Sequence, residues 1–272
     1  MKKNQIPLYL TIFNNLIKDP KYHKPSEEKR RPRIQDLEGI FKTIVLKLKS
    51  GSQWKYLTCQ GNFSISTVFN YYSLWVQKGL FYDLWTHALN VYSSTKRINW
   101  KYQAIDSSLI KCKKGGTVRG PNSCDRGRSG SKISSLVDKN GIPLACVLTP
   151  ANVHDSRMVE ELLSKYVLRR PVYQQHMNMD TGYDSRAIRT SLENNNYIPH
   201  IPRNRRNNRS ETDFSMSREE KIHYRERIKV EHYFGILKQY RGLTIRYEVN
   251  GLHFEHFVYL ANLLIVSNRC SK

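Results

Sequence analysis

The run Tyr102-Gln103-Ala104-Ile105-Asp106-Ser107-Ser108-Leu109-Ile110 decides how this chain is read. It has the composition of a strand, yet it sets one carboxylate, Asp106, among apolar neighbours. An ionised acid there is costly unless a cation offsets its lost hydration. Two more strand patterns follow, Ile133 to Val137 and Ile142 to Leu148, joined by the turn Asp138-Lys139-Asn140-Gly141. Three antiparallel strands are therefore expected to open a domain.

Working outward, Asp155 or Ser156 is expected to cap a helix through Val159, Leu162, Leu163 and Val167. Val172 to Met179 reads as a further strand that ends at Asp180-Thr181-Gly182-Tyr183-Asp184-Ser185. In that segment Gly182 permits a turn, and Asp184 or Ser185 can cap the next helix. Tyr197 to Ile201 is weakly strand-like, and two helices close the chain, about Arg218 to Arg241 and Leu252 to Asn268. This order of elements implies an α/β fold with a mixed sheet covered by helices.

Upstream the pattern is helical. Leu37, Ile40, Phe41, Ile44, Val45 and Leu48 recur at helical spacing before Gly51. A second helix carries Val68, Tyr72, Trp75 and Val76, with Ser64 or Ser66 as cap, and a third runs through Phe81, Leu84, Trp85, Leu89 and Tyr92. Three short helices suit a helix-turn-helix-like DNA-binding unit, and equally any small helical bundle. Their aromatic stripe is read as core. Residues 18–33 are rich in Lys, Arg and Pro and read as an exposed arm. The expected division is a basic arm at 1–35, a helical DNA-binding domain at 36–98 and a catalytic domain at 99–272.

Forty-five Lys and Arg against 23 Asp and Glu give a formal charge of +22. That is a field for a polyanion, with nucleic acid first in view. No apolar run reaches the ~18 residues of a membrane span, and the first residues lack an apolar signal core. A soluble, intracellular protein is expected, in the cytoplasm or nucleoid of a bacterium or the nucleus of a eukaryote. Cys59, Cys112, Cys124, Cys146 and Cys270 are scattered without paired spacing and read as reduced thiols. Lys111 to Lys132, dense in Gly, Lys, Arg and Ser, reads as a mobile basic loop whose Arg119, Arg126, Arg128 and Lys132 could bind phosphates. Arg203, Arg205, Arg206 and Arg209 form a second exposed basic segment.

Asp106 or Asp180 alone could be a turn or capping residue. The first closing helix changes the weighing, because at ~100° per residue Tyr224, Arg227, Glu231 and Lys238 fall at roughly 0°, 300°, 340° and 320°, on one face. A surface ion pair accounts for Arg227 with Glu231. It does not account for Val230, Phe234, Ile236 and Leu237 around that stripe. Three carboxylates on separate elements of so basic a chain suit Mg²⁺, with two ions roughly 3.5–4 Å apart serving phosphoryl transfer. His154 and Asp155 invite a catalytic reading, but with no defined partner they are read as loop packing and helix capping. His200, His232, His253 and His256 are read as structural or adjacent to DNA.

The spacing Tyr224, Arg227, Glu231, Lys238 resembles the signature helix of transposases in the superfamily named after insertion sequences four and five. Ile105-Asp106-Ser107-Ser108 resembles that family's first-aspartate strand, and Asp180 to Ser185 its second-aspartate turn. Leu48 to Trp54, Ser66 to Phe69, Thr149 to Ser156 and Arg227 to Leu243 are similar as well, so the likeness covers roughly residues 30 to 269. It is nearest to the insertion-sequence-five branch, related to the Harbinger elements. The resemblance implies an RNase H-like domain with a catalytic, metal-binding triad at Asp106, Asp180 and Glu231, using Mg²⁺ or Mn²⁺ as a substitute. It also implies DNA contacts from Tyr224, Arg227 and Lys238, double-stranded DNA partners at terminal inverted repeats and target sites, no membrane partner, and a homodimer on DNA. The basic segments at 111–132 and 203–209 depart from the family pattern. A transposase-derived DNA-binding protein without chemistry, or a stand-alone nuclease with the same metal site, is the alternative.

Overall fold

The computed structural model describes residues 6–23, 36–204 and 215–271. In chain order the elements are α1 (Leu8–Leu16), α2 (Leu37–Ser50), α3 (Ile65–Gln77), α4 (Leu80–Thr95), β1 (Tyr102–Cys112), β2 (Gly120–Asn122), β3 (Arg128–Asp138), β4 (Pro143–Pro150), α5 (Val159–Ser164), β5 (Gln175–Asn178), α6 (Arg186–Asn194), β6 (Tyr197–His200), α7 (Arg218–Tyr224), α8 (Ile228–Leu237), β7 (Ile245–Arg246) and α9 (Gly251–Cys270). Two compact units result, one formed by residues 1–96 with 237–272 and the other by 97–236.

In the first unit the three expected helices form, and the structure adds the cap of the first of them. Asp36 accepts from Gly39 N at 2.7 Å to start α2, and Gly51 closes it in the left-handed conformation at φ 69°. Ser64 accepts from Thr67 N to start α3. The aromatic stripe is core, with Tyr72, Trp75, Phe81 and Trp85 all buried. The 1–35 segment is not wholly an arm. Residues 8–16 are helical, Phe13 stacks on Phe41 with ring centroids 4.1 Å apart, and Tyr22 is buried under the Trp75 indole, whose N–H reaches the Tyr22 carbonyl. Basic composition concealed the apolar face of Leu10, Ile12 and Phe13. Residues 24–35 lie outside the described residues.

The closing helix α9, expected within the 99–272 domain, packs along α4 instead. It brings Phe254 and Phe257 into the aromatic core, where Phe257 stacks on Tyr72. Beneath them Lys47 and Glu248 form a buried pair at 2.9 Å, with the ammonium over the rings of Trp54 and Phe257. Among the described residues no helix is long and apolar enough to cross a membrane. All five cysteines are free thiols.

The second unit holds the mixed sheet. β3 lies antiparallel to β1 on one side and to β4 on the other, while β5 runs parallel to β1 and β6 parallel to β5. Three antiparallel strands followed by two parallel ones, with helices covering the sheet, is the RNase H-like arrangement expected. The turn between β3 and β4 forms as read. Asp138 Oδ1 accepts from Asn140 N and Ile142 N, and Gly141 adopts φ 75°.

Two expectations fail here. Lys111 to Lys132 is not a mobile loop throughout: β1 runs on to Cys112, β2 pairs with the start of β3, and β3 begins at Arg128. Ladder hydrogen bonds satisfy a backbone whose polar side chains gave no strand pattern. The helix expected from Arg218 to Arg241 is broken as well. α7 ends at Tyr224, a 3₁₀ turn covers Arg225–Arg227, and α8 ends at Leu237. At the 3₁₀ turn, residues three apart eclipse, so Arg227 comes back over Tyr224, with its guanidinium carbon 6.0 Å from the ring centre.

Candidate active site

The parallel pairing of β1 with β5 sets Ala104 opposite Asn178. Asp106 stands two residues beyond that pair on β1 and Asp180 two residues past the end of β5, close enough for the Asp180 charge to act on the Asp106 carboxyl. Asp106 sits mid-strand and its Oδ1 accepts from Ser107 N at 2.8 Å. Asp180 lies past the end of β5, and its Oδ1 accepts from Thr181 N at 2.8 Å, capping a 3₁₀ turn at Thr181–Tyr183. The turn tucks in Tyr183, which is buried with its hydroxyl 3.1 Å from Ser107 Oγ. Ser107 Oγ in turn lies 2.8 Å from Ser134 Oγ on β3.

Glu231 comes from α8. Val230 and Tyr233 on either side of it are fully buried, and the Ser135 hydroxyl on β3 reaches Tyr233 Oη at 3.4 Å. The 3₁₀ turn before α8 is tied to the β3–β4 turn by Lys139 with Glu226 at 3.5 Å. Arg227, at the end of that turn, donates from Nη1 to Asp106 Oδ2 at 3.1 Å and from Nη2 to Glu231 Oε1. One guanidinium thus bridges the strand carboxylate and the helix carboxylate.

The electrostatics match that crowding. Burial pushes the Asp106 carboxyl above the usual range and the Asp180 charge adds to the push, while the Ser107 N–H and Arg227 oppose it. Tyr224 is raised by burial, helped by the charges of Asp180 and Glu231 and opposed by Arg227. Burial works to lower the Arg227 pKa, but Tyr224 and the three carboxylates outweigh it and hold it above its ordinary value. Asp106, Asp180, Tyr224, Arg227 and Glu231 therefore sense one another. Oxygen donors suit a hard divalent cation, but among the described residues Asp106, Asp180 and Glu231 do not close into one tight ligand group; the Arg227 guanidinium stands between Asp106 and Glu231.

Lys238 does not share the helix with them. It lies just past the end of α8 and is exposed, because the helix stops at Leu237. Arg119, Arg126, Arg128 and Arg203 are exposed as expected, with Arg119 donating to the Gly116 carbonyl and the Ser129 hydroxyl. Lys132 is a correction. It points inward, 7% exposed, and its ammonium holds Asp155 and the Val153 carbonyl, each at 2.7 Å. Its strand position, not its charge, decides where it points. Asp155 thereby pairs with Lys132 while His154 caps the turn by accepting from Ser156 N, reversing the roles expected for these neighbours. Arg205, Arg206 and Arg209 lie outside the described residues. Sequence reading passed over His176 and His223, which stand with His200 on β5, α7 and β6. Nothing in their spacing joins them, since parallel strand pairing brings them together.

The chain belongs to the transposase DDE domain family, whose model matches residues 102–266. Members of this family work with divalent metal ions. The transposase assigned to insertion sequence element IS402 of Burkholderia cepacia is 38% identical over 97 residues, which is 32% of this chain and 44% of that protein. The matched stretch thus spans less than half of that relative's length. Among solved structures, a piggyBac transposase synaptic complex with hairpin DNA aligns over 96% of this chain and 66% of its own, at 11% identity and a TM-score of 0.47. The Mos1 mariner paired end complex with Mn covers 91% of each chain at 14% identity and a TM-score of 0.28. Both likenesses are too slight to add to the family match.

Proposed function

We propose that the chain is a DNA transposase of the insertion-sequence-five branch that nicks the terminal inverted repeats of its own element and joins the freed ends to target DNA. Asp106, Asp180 and Glu231 are the catalytic and metal-holding residues in this reading, Mg²⁺ is the ion with Mn²⁺ as substitute, and two ions are held. The observation that carries it is the single Arg227 guanidinium shared by Asp106 and Glu231, with Asp180 just past the end of the strand that pairs with β1 and its charge acting on Asp106.

Asp106, Asp180 and Glu231 would hold the ions, whose chemistry would be activation of the attacking water or 3′-hydroxyl and stabilisation of the departing oxygen. The protein's part is placement. In this reading β1 carries Asp106, the turn after β5 carries Asp180, and α8, anchored by its buried face, carries Glu231. Arg227 neutralises Asp106 and Glu231 in the metal-free chain, and on metal and DNA binding it turns to the scissile phosphate, where a planar guanidinium can take two oxygens. Tyr224 stands beside it to orient the backbone, and exposed Lys238 takes a phosphate further along.

Arg119, Arg126, Arg128, Arg203, Arg205, Arg206 and Arg209 contribute phosphate contacts along double-stranded DNA. The helices at 36–98 recognise the repeats, and a homodimer holds the two ends.

The test incubates the purified full chain and Mg²⁺ with labelled duplex carrying the inverted repeats that flank its gene. Nicks at the repeat ends followed by strand-transfer products are expected, abolished by EDTA. A mobility shift with no nick under Mg²⁺ or Mn²⁺ would sink the catalytic reading, and nicking without joined products would leave a nuclease.

A further inference from the structure

Three histidines gather on β5, β6 and α7, apart from the carboxylates. His176 is on β5, His200 ends β6 and His223 is in the last turn of α7, and one ring nitrogen from each falls within 4.8 Å of the others. His176 Nδ1 is 2.8 Å from His200 Nε2. The three rings stack at centroid separations of 4.4 to 5.0 Å. Tyr102 on β1 closes the group, its ring stacked on His176 and its hydroxyl 2.9 Å from His223 Nδ1. His200 is 4% exposed, and its Nδ1 is buried without a hydrogen-bond partner among the described residues.

Four chemical features point to a borderline-soft cation. Three imidazoles from three separate elements form a first shell of the kind that suits Zn²⁺ and its neighbours. Burial holds His176 and His200 below the ordinary histidine range, His200 at about 4. The Tyr102 hydroxyl on His223 is the type of outer contact that fixes which ring nitrogen faces a metal. Glu220, one turn before His223 on α7, offers nearby negative charge that His200 senses. Three close imidazoles with a buried idle nitrogen are otherwise a poor use of polar groups in a folded interior.

We propose that His176, His200 and His223 bind one divalent transition-metal ion of the Zn²⁺ class, with water in the fourth position, as a structural clamp joining α7 to the edge of the sheet. On loading, the proton now shared between His176 and His200 moves to the far nitrogen of the ring that carries it, so both facing nitrogens can donate lone pairs. The rings splay from their stack, and the 2.8 Å separation opens to roughly 3.3 Å, the edge of a tetrahedron with bonds of about 2.0–2.1 Å.

The clamp sits away from the carboxylates. Tyr102, level with His176 in the register, is four residues before Asp106, roughly 13 Å along the strand. It acts on them through the chain. His223 precedes Tyr224 and lies four residues before Arg227, and His176 lies four residues before Asp180. An ion there ties the lead-in of the Glu231 helix to the strand that delivers Asp180.

The test uses untagged full-length chain, stripped with chelator and titrated with Co²⁺ and Zn²⁺ in the presence of excess Mg²⁺. One Co²⁺ per chain with a visible tetrahedral band, displaced by Zn²⁺, is expected, along with a raised thermal midpoint. His223→Gln, on a part-exposed helix, keeps the fold by circular dichroism, loses the band and weakens Zn²⁺ at least about 100-fold, since even an outer-shell change costs roughly 10–100-fold. Asp106→Asn retains the band, which separates this centre from the proposed catalytic one. No band in the parent chain, or a band of unchanged affinity in both His223→Gln and His176→Gln, overturns the inference.

Discussion

Arg227 Nη1 donates to Asp106 Oδ2 at 3.1 Å, joining residues 121 positions apart, while Nη2 of the same side chain holds Glu231 four residues on. A lysine cannot present two parallel donors to two carboxylates. Arg227→Lys is therefore expected to lose most of the cleavage rate, by roughly ten- to hundred-fold, the worth of one charge-assisted hydrogen bond. Arg227→Ala should be no better. Single-turnover nicking rates check this, and a lysine variant cutting at the parent rate would remove Arg227 from the site.

Asp106→Asn should abolish metal-dependent nicking while leaving the mobility shift of repeat DNA intact. It should not cost stability. The folded carboxyl is raised above its unfolded value by burial and by Asp180, so its charge penalises the fold at neutral pH, and the penalty is relieved as pH falls through the folded value. The amide keeps the shape without the charge. Thermal midpoints of the two chains in EDTA decide the point, and a midpoint clearly lower in the variant would contradict it.

Exposed and inward-facing basic residues of the 111–132 segment should separate by salt dependence. Arg126→Ala with Arg128→Ala should flatten the slope of log affinity against log salt by about 0.9 for each phosphate the protein no longer neutralises. Lys132→Met should leave that slope alone and instead lower stability by about 1–3 kcal/mol, because Asp155 loses the buried ammonium that faces it. Equal salt slopes for the parent and the double arginine variant would take this segment off the DNA.

Acid should loosen the first unit through His256. An unfolded histidine titrates near 6.5, whereas burial, with the His253 charge adding to it and Asp83 opposing, pushes His256 down to about 4. The folded form resists the proton, so as pH falls from about 6.5 toward 4 the unfolded chain gains protons first and stability drops, by at most about 3 kcal/mol from this residue. Above pH 7 the effect is absent. Denaturant midpoints at pH 7 and 4.5 measure it, and His256→Leu should reduce the difference; an unchanged pH slope in the variant would place the acid sensitivity elsewhere.

Removing the buried Lys47 ammonium should be costlier than removing any surface lysine. Glu248 is left desolvated beneath Trp54 and Phe257, and breaking such a pair costs about 3–5 kcal/mol. The double change Lys47→Met with Glu248→Leu should recover most of it. Equilibrium unfolding of the single and double variants tests the coupling, which fails if the single change is silent.

Local chemistry carried most of the elements and their order. The strand composition of 102–110, the Asp138 to Gly141 turn, and the caps at Ser64 and Ser185 are each properties of a few adjacent residues, and so were legible one segment at a time; the single face from Tyr224 to Lys238 was not, because the helix breaks at Arg225–Arg227 and stops at Leu237. The closing helix was legible as a helix, but its partner α4 was not, because an apolar face does not name the surface it will cover. The pairing of β1 with β5 brings the strand of Asp106 beside the one that leads to Asp180, the pairing of β5 with β6 and the packing of α7 gather three histidines from distant positions, and the place of Lys132 between β1 and β4 turns it inward. Register is a relation between strands far apart in sequence, chosen by the burial of both together, and only the folded chain contains it.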